Sequence, residues 1–264
     1  MEIVEATGSF WLPGSDGAAV YGSLKFSPSE GTNLALLDGL GELGPGGEGT
    51  ELLGGMRDRI FGRIRRGGHK VDVTLVDCIW LSPTEYYANR LLIGGHFPVD
   101  DTAFDEAIIR LQDLPAWVGQ DGLTIQVDEA LDAVERRELS VRFDRPPPVR
   151  ADFARGQIVL DFRWSRDDVR YEKVNIQQWP QFELEYSERA PLGEIMDDLS
   201  ALQNLLTLCA DSPGEVESVY LYRSDIPERV LSGDVIPGTM ARIELLSAFV
   251  ESRAGRKESR PEPH

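Results

Sequence analysis

Apolar and polar residues alternate along residues 20–26. Val20, Gly22, Leu24 and Phe26 fall on one side, and Tyr21, Ser23 and Lys25 on the other. Period two is the pattern of a strand with one buried face. Residues 71–80, rich in β-branched and aromatic side chains, and residues 91–97 read the same way. Pro13-Gly14, Pro45-Gly46-Gly47, Gly67-Gly68 and Gly94-Gly95 punctuate these runs as turns. The period changes over residues 101–117, where Phe104, Ala107, Ile108, Leu111 and Leu114 recur at helical spacing. With Asp101 or Thr102 at the start and Pro115 at the end, that spacing predicts a helix. Asp100-Asp101 then reads as its beginning.

Pro146-Pro147-Pro148 forms a stiff extended stretch, and a lobe boundary is placed there. Beyond it, residues 157–164, 172–176, 181–186 and 217–222 read as strands. The clearest helix of the chain lies between the last two. Ile195, Leu199, Leu202, Leu206 and Cys209 line one stripe, Pro191 stands near the first turn, and Asp211-Ser212-Pro213-Gly214 ends it. Asp197-Asp198 falls on its solvent side. Met240, Ile243, Leu246 and Phe249 predict a further helix over residues 239–250. The expected fold is mostly β (α+β), with two β-rich, sandwich-like lobes and two to three packed amphipathic helices. The lobes span residues 6–148 and 149–250, the second carrying the helix 192–210, and residues 251–264 form a frayed polar tail. No repeat of fixed period is visible.

Composition narrows the function. The 264 residues include 27 Lys+Arg against 45 Asp+Glu, a formal charge of −18. Nucleic-acid affinity rests largely on cations that neutralise phosphates, so this balance argues against nucleic acid as a partner of this region. Cys78 and Cys209 lie far apart in apolar segments and read as two buried free thiols in a reducing compartment rather than a disulfide framework. The first residues lack a basic stretch followed by an apolar one, and no apolar run reaches membrane-spanning length. The expectation is a cytoplasmic protein without membrane contact.

Familiar catalytic signatures are missing. The histidines are His69, His96 and His264, and they do not combine with two distant cysteines into a local zinc site. No metal and no cofactor is expected. A G-x-G-x-x-G string occurs at Gly39, Gly41 and Gly44, but Pro45-Gly46-Gly47 follows where a dinucleotide fold would open a helix, so it reads as a flexible loop. Adjacent acids at Asp100-Asp101, Asp167-Asp168 and Asp197-Asp198 leave open a β-sandwich enzyme or glycan-binding protein that uses paired carboxylates. A third reading is a structural protein-interaction domain. The one basic concentration is Arg57, Arg59, Arg63, Arg65 and Arg66. Arginines at alternate positions from Arg59 to Arg65 share one strand face opposite Ile60 and Ile64, where they could hold phosphate or an acidic partner peptide. Arg59, Arg63, Arg65 and Arg66, with Trp11 as a stacking platform, are the candidate contact residues. A solvated strand face and a core aromatic are the plain alternatives.

Several segments in order carry a resemblance. Gly8-Ser9-Phe10-Trp11-Leu12-Pro13 precedes the strand Val20-Tyr21-Gly22-Ser23-Leu24. Ile60-Phe61-Gly62 and Val73-Thr74-Leu75 follow, then Leu92-Ile93-Gly94-Gly95-His96-Phe97 and Leu114-Pro115-Ala116-Trp117. The helix from Leu192 to Cys209, followed by Val219-Tyr220-Leu221-Tyr222, completes the set. Over residues 6–225 this order resembles the N-terminal domain of ApeA-like anti-phage defence proteins. In that family the region precedes a helical HEPN ribonuclease domain of abortive infection, marked by R-x4-6-H on a helix. Arg63 to His69 and Arg90 to His96 match that string, but both lie in strand-and-turn segments and read as coincidence. The stretch after Val250 is too short for a helical nuclease. The resemblance therefore implies a non-catalytic sensor or regulatory module, separated from its HEPN domain, which would act in cis or in trans. A phage-derived or host protein is the implied trigger.

Overall fold

The computed structural model describes residues 3–40, 56–119, 122–129, 137–166, 176–210, 215–229 and 235–247. The Gly41 and Gly44 loop, residues 172–175, Asp167-Asp168, the 211–214 stop and the 251–264 tail lie outside the described residues.

Six strands come first: β1 (Val4–Trp11), β2 (Val20–Ser27), β3 (Gly31–Leu36), β4 (Met56–Arg66), β5 (His69–Ser82) and β6 (Glu85–Ile93). They pair antiparallel in the order β6-β3-β2-β1-β4-β5, and β5 returns to β6, so the six close into a barrel. Alternation is the local cause. Leu24, Phe26, Leu34, Ile60, Ile64, Val73, Leu75 and Phe10 point inward and are buried. The barrel is filled so closely that a Cβ at Gly62 would meet the Phe10 ring at 2.5 Å; glycine is needed there for room. Closure also removes the unpaired edges that exposed strands leave.

The chain continues through β7 (Ala103–Leu111), a one-turn helix α1 (Leu114–Val118), β8 (Leu123–Glu129), β9 (Arg137–Phe143), β10 (Val149–Phe153), β11 (Gly156–Arg166), β12 (Ile176–Pro191), α2 (Leu192–Ala210), β13 (Val216–Arg229) and β14 (Val235–Ser247). Strands β8 and β9 form a separate hairpin. The others extend the same sheet in the order β10-β11-β12-β7-β13-β14, and β14 joins β6. The junction is a fork. Residues 85–88 of β6 pair with β3, and residues 90–93 pair with β14. Strand β7, from before Pro146, lies between β12 and β13, from after it.

The apolar face of the sheet changes sides at this fork. One register row crosses Leu92, Leu245, Val219, Ile109, Phe182 and Leu160. This face is the outside of the barrel at Leu92, and in the second half it carries the core packed under α2 through Leu192, Ile195, Leu199, Leu202 and Leu206. The adjacent row crosses Ile93, Glu244, Tyr220, Ile108, Glu183 and Val159. It starts inside the barrel and ends on a polar face. Each buried Leu or Ile of α2 contributes about 1.5–3 kcal/mol, so α2 does for the second half what closure does for the first.

The mostly β architecture is the one the alternation predicts, and α2 lies where the apolar stripe places it. Two predicted helices are strands. Residues 101–117 contain a 3-10 turn (Val99–Asp101), then β7 and α1. Phe104, Ala107, Ile109 and Leu111 are its buried positions. The register is irregular opposite residues 104–106, so the inward set shifts phase there and mimics helical spacing. Asp100-Asp101 thus belongs to a short turn, not to a helix start. Residues 239–247 lie in β14. Ile243 and Leu245 face one core while Leu246 faces the other. A strand buried on both faces reads as a continuous apolar run, which periodicity does not separate from a helix. Cys78 is buried as expected, but Cys209 is exposed; covering of the α2 stripe stops at Leu206, and Leu208 is also exposed. Among the described residues no helix is long and apolar enough to cross a membrane.

Candidate functional site

Strand β4 positions four of the five residues singled out by sequence, and it treats them differently. Arg59 is buried at 9% exposure. Its Nη1 donates to the Asp58 carbonyl at 2.7 Å, and its Nη2 donates to Thr102 Oγ1 at 3.3 Å. Burial pulls its pKa below the usual arginine value, with the Asp77 charge acting against that. Asp77 sits in β5 at φ 55°, the one non-glycine residue with positive φ among the described residues. Its carboxylate accepts from Arg90 Nη1 at 2.6 Å and lies 4.0 Å from Arg59. The Cys78 thiol next to it is pushed up to about 12 by burial.

Arg59 shares its target with a distant residue. Arg223 of β13, at 4% exposure, donates to the Asp101 carbonyl at 2.8 Å and pairs with the carboxylates of Asp101 at 3.0 Å and Asp225 at 2.8 Å. The hydrogen bond from Arg223 holds the Asp225 carboxyl down at about 2. Two buried arginines from separate parts of the chain thus grip the 98–102 turn, which links the barrel to the rest of the sheet.

Trp11 is also engaged. Its ring packs edge-on against His96 with centroids 5.1 Å apart, and Phe61 stacks on the same imidazole at 5.1 Å. Trp11 is 8% exposed, and His96 Nε2 lies 2.9 Å from the Gly62 carbonyl oxygen.

The other three arginines lie toward the β4–β5 turn. Arg63 Nε donates to Asp72 Oδ1 at 2.6 Å, which raises the arginine pKa, while the side chain stays 52% exposed. Arg66 Nη1 donates to Glu244 Oε2 at 2.5 Å. Arg65 is exposed and stands directly opposite Lys70. Gly67 and Gly68 make the turn at φ 58° and 84°, the positive values that a two-residue hairpin turn requires. That turn fixes the register, so Lys70, not singled out by sequence, joins the patch. The two adjacent glycines carried the signal. His69 lies at the same turn, and each R-x5-H string falls on strands and turns.

A second group was not legible in the sequence. On the polar face, Arg163 Nη2 donates to Glu183 Oε1 at 2.7 Å and Arg163 Nε lies 3.1 Å from Asp161 Oδ2. Arg145 binds Asp161 with both Nε and Nη2, and Asp161 is 2% exposed. Gln181 donates to Glu183 at 2.7 Å and accepts from Trp179 Nε1 at 3.2 Å. The Arg110 guanidinium lies over the Trp179 ring, 4.4 Å from its centre. Glu106 stands directly opposite Glu185. Burial first, then the charges of Glu183 and Glu185, raise the Glu106 carboxyl to about 7. Perturbed carboxyls of this kind occur both at functional sites and in structural ion-pair networks.

The paired acids are engaged elsewhere. Asp101 binds Arg223, and Asp198 accepts from Arg155 and from the Tyr186 hydroxyl. Among the described residues no group of three or more His, Cys, Asp or Glu side chains is arranged to hold a metal ion.

One protein-family model matches the chain, ApeA N-terminal domain 1, over residues 5–264. No curated protein and no solved structure matches it.

Proposed function

The chain belongs to the ApeA N-terminal domain 1 family, and from this premise we propose that it is a sensing and regulatory module of an anti-phage defence protein. It carries no catalytic step of its own and acts on a helical HEPN ribonuclease domain, joined in cis or met in trans. The match over residues 5–264 carries this reading. Its trigger is a phage-derived or host protein met in the cytoplasm. Two features support protein recognition. The β4 backbone is held by a closed barrel, and ion pairs fix the polar face of the second half. A fixed scaffold loses little freedom on binding.

The test uses the whole chain as bait in extracts of infected and uninfected cells. A protein captured from infected cells alone is expected, and co-expression with a HEPN domain should change RNA cleavage by that domain. Hydrolysis of a glycan by the chain itself, lost in Glu106→Gln, would overturn the reading in favour of a carboxylate enzyme.

A further inference from the structure

We infer that the tip of the β4–β5 hairpin, presenting Arg63, Arg65 and Lys70, is a docking surface for an acidic segment of a protein partner. The inference rests on the recognition reading above and names the chemistry of the partner. Three observations carry it.

The first is a local reversal of charge. Residues 57–70 hold six cations, Arg57, Arg59, Arg63, Arg65, Arg66 and Lys70, and one acid, Asp58, in a chain with 45 acids and a charge of −18. The second is an uncompensated pair. Arg65 and Lys70 stand directly opposite each other, where Cβ atoms lie about 5 Å apart and like charges destabilise a sheet. Neither has an acidic side chain within ion-pair distance among the described residues, whereas Arg63 and Arg66 each have one. Both Arg65 and Lys70 are exposed. The third is rigidity. The strands belong to a closed barrel and the turn is a glycine pair. Arg63 and Arg65 are therefore held about 7 Å apart on one face.

These features select the occupant. Successive acidic side chains on one face of an extended peptide repeat at the same ~7 Å spacing, and complementary charge speeds and orients docking. The β1–β4 ladder already pairs Arg63 with Ser9, so the contact there is made by side chains rather than by strand addition. A nucleic acid is disfavoured, because its affinity grows with the number of phosphates neutralised and the three cations of the tip cover few of them. Uncharged Ser9 stands opposite Arg63 on β1, and the half-exposed Tyr21 stands opposite Ser9 on β2; they offer hydrogen bonds and stacking to the same segment.

The experiment titrates the full chain with a labelled peptide of alternating Glu and Ser. A Gln-for-Glu version and a single-stranded oligonucleotide of equal charge serve as comparisons. The acidic peptide is expected to bind and the Gln version not to. Arg65→Glu with Lys70→Glu should weaken binding at least tenfold, as should raising salt from low to high. Arg150→Glu, on β10, serves as the control and should change binding little. Circular dichroism of the double variant checks that it is folded; if it is not, Arg65→Gln with Lys70→Gln replaces it. No binding of the acidic peptide, equal binding by the variants, or tighter binding of the oligonucleotide overturns the proposal. If a trigger captured from infected cells is still captured by the charge-reversed chain, this surface is wrong and the sensing role stands. If no trigger exists but the acidic peptide binds, the sensing role fails instead.

Discussion

The barrel and the second half of the sheet meet the same physical requirement in opposite ways. Both are made of strands with one apolar face. In β1 to β6 that face is hidden by closing the strands on themselves around Phe10, Leu24, Phe26 and Ile64. From β7 onward the sheet stays open, and the apolar face is hidden by laying α2 over it. Because the sheet is continuous, the apolar side must change at the fork. Leu91, Leu92 and Ile93 on β6, with Leu245 and Leu246 on β14, are therefore buried on both faces. Closure leaves a polar exterior that carries the basic hairpin. Covering by a helix on one side leaves the opposite face to polar side chains, and that face holds the ion pairs of Asp161, Arg163 and Glu183.

The strongest test of this comparison removes one apolar anchor from each half. Phe10→Ala should cost about 3–5 kcal/mol and Leu199→Ala about 2–5 kcal/mol. Both are read from urea unfolding followed by tryptophan fluorescence and far-UV circular dichroism. With β6 and β14 shared by two cores, each variant should shift a single transition in both signals. Two separated transitions would show that the halves fold independently. Next in size is Arg223→Met. It frees the 98–102 turn from one of its two grips, leaves Asp101 to solvent and leaves Asp225 to Arg189 alone, at a cost of about 2 kcal/mol, measured in the same way.

A smaller effect depends on pH. The folded-state pKa of Glu106, about 7, lies above the ordinary carboxyl value, so the folded chain holds this proton more tightly than the unfolded chain. Stability from this group is present at low pH and falls as pH rises through about 4.5 to 7. Glu106→Gln should leave the melting temperature unchanged at pH 4 and raise it by about 1–2 °C at pH 8, a modest figure because the group is only half buried. No gain at pH 8 would mean that solvent or a cation already relieves the carboxylate. The smallest change is expected at the hairpin. Arg65→Ala should alter stability by less than about 0.5 kcal/mol, in the stabilising direction, since it removes repulsion from Lys70. A clear loss would indicate that Arg65 is held by a contact of its own.

The legible parts of the fold are those set by near neighbours in the chain. Period two in β2 and the leucine stripe of α2 depend on which side chains lie two or three to four residues apart. The arginine concentration was visible for the same reason. The misread segments depend on distant partners. β7 looks helical because an irregularity opposite Phe104 and Glu106 shifts its phase. β14 looks helical because two separate cores claim its two faces. At the candidate site, Arg59 reads as a surface residue until Thr102 arrives 43 positions later in the chain to accept from it. Lys70 reads as an isolated lysine until the Gly67-Gly68 turn sets it against Arg65.

The sequence by itself determined that this is a strand-rich, acidic chain with one basic hairpin and one strong amphipathic helix, because alternation, helical spacing and charge are local properties. It also carried the ordered motifs of its family. Tertiary structure alone decided that six strands close into a barrel, that the apolar face changes sides at β6, and that Arg59 and Trp11 are buried while Arg65 and Lys70 stay exposed. Those outcomes depend on which distant segments share a sheet and which remain in water, and local spacing does not encode that choice.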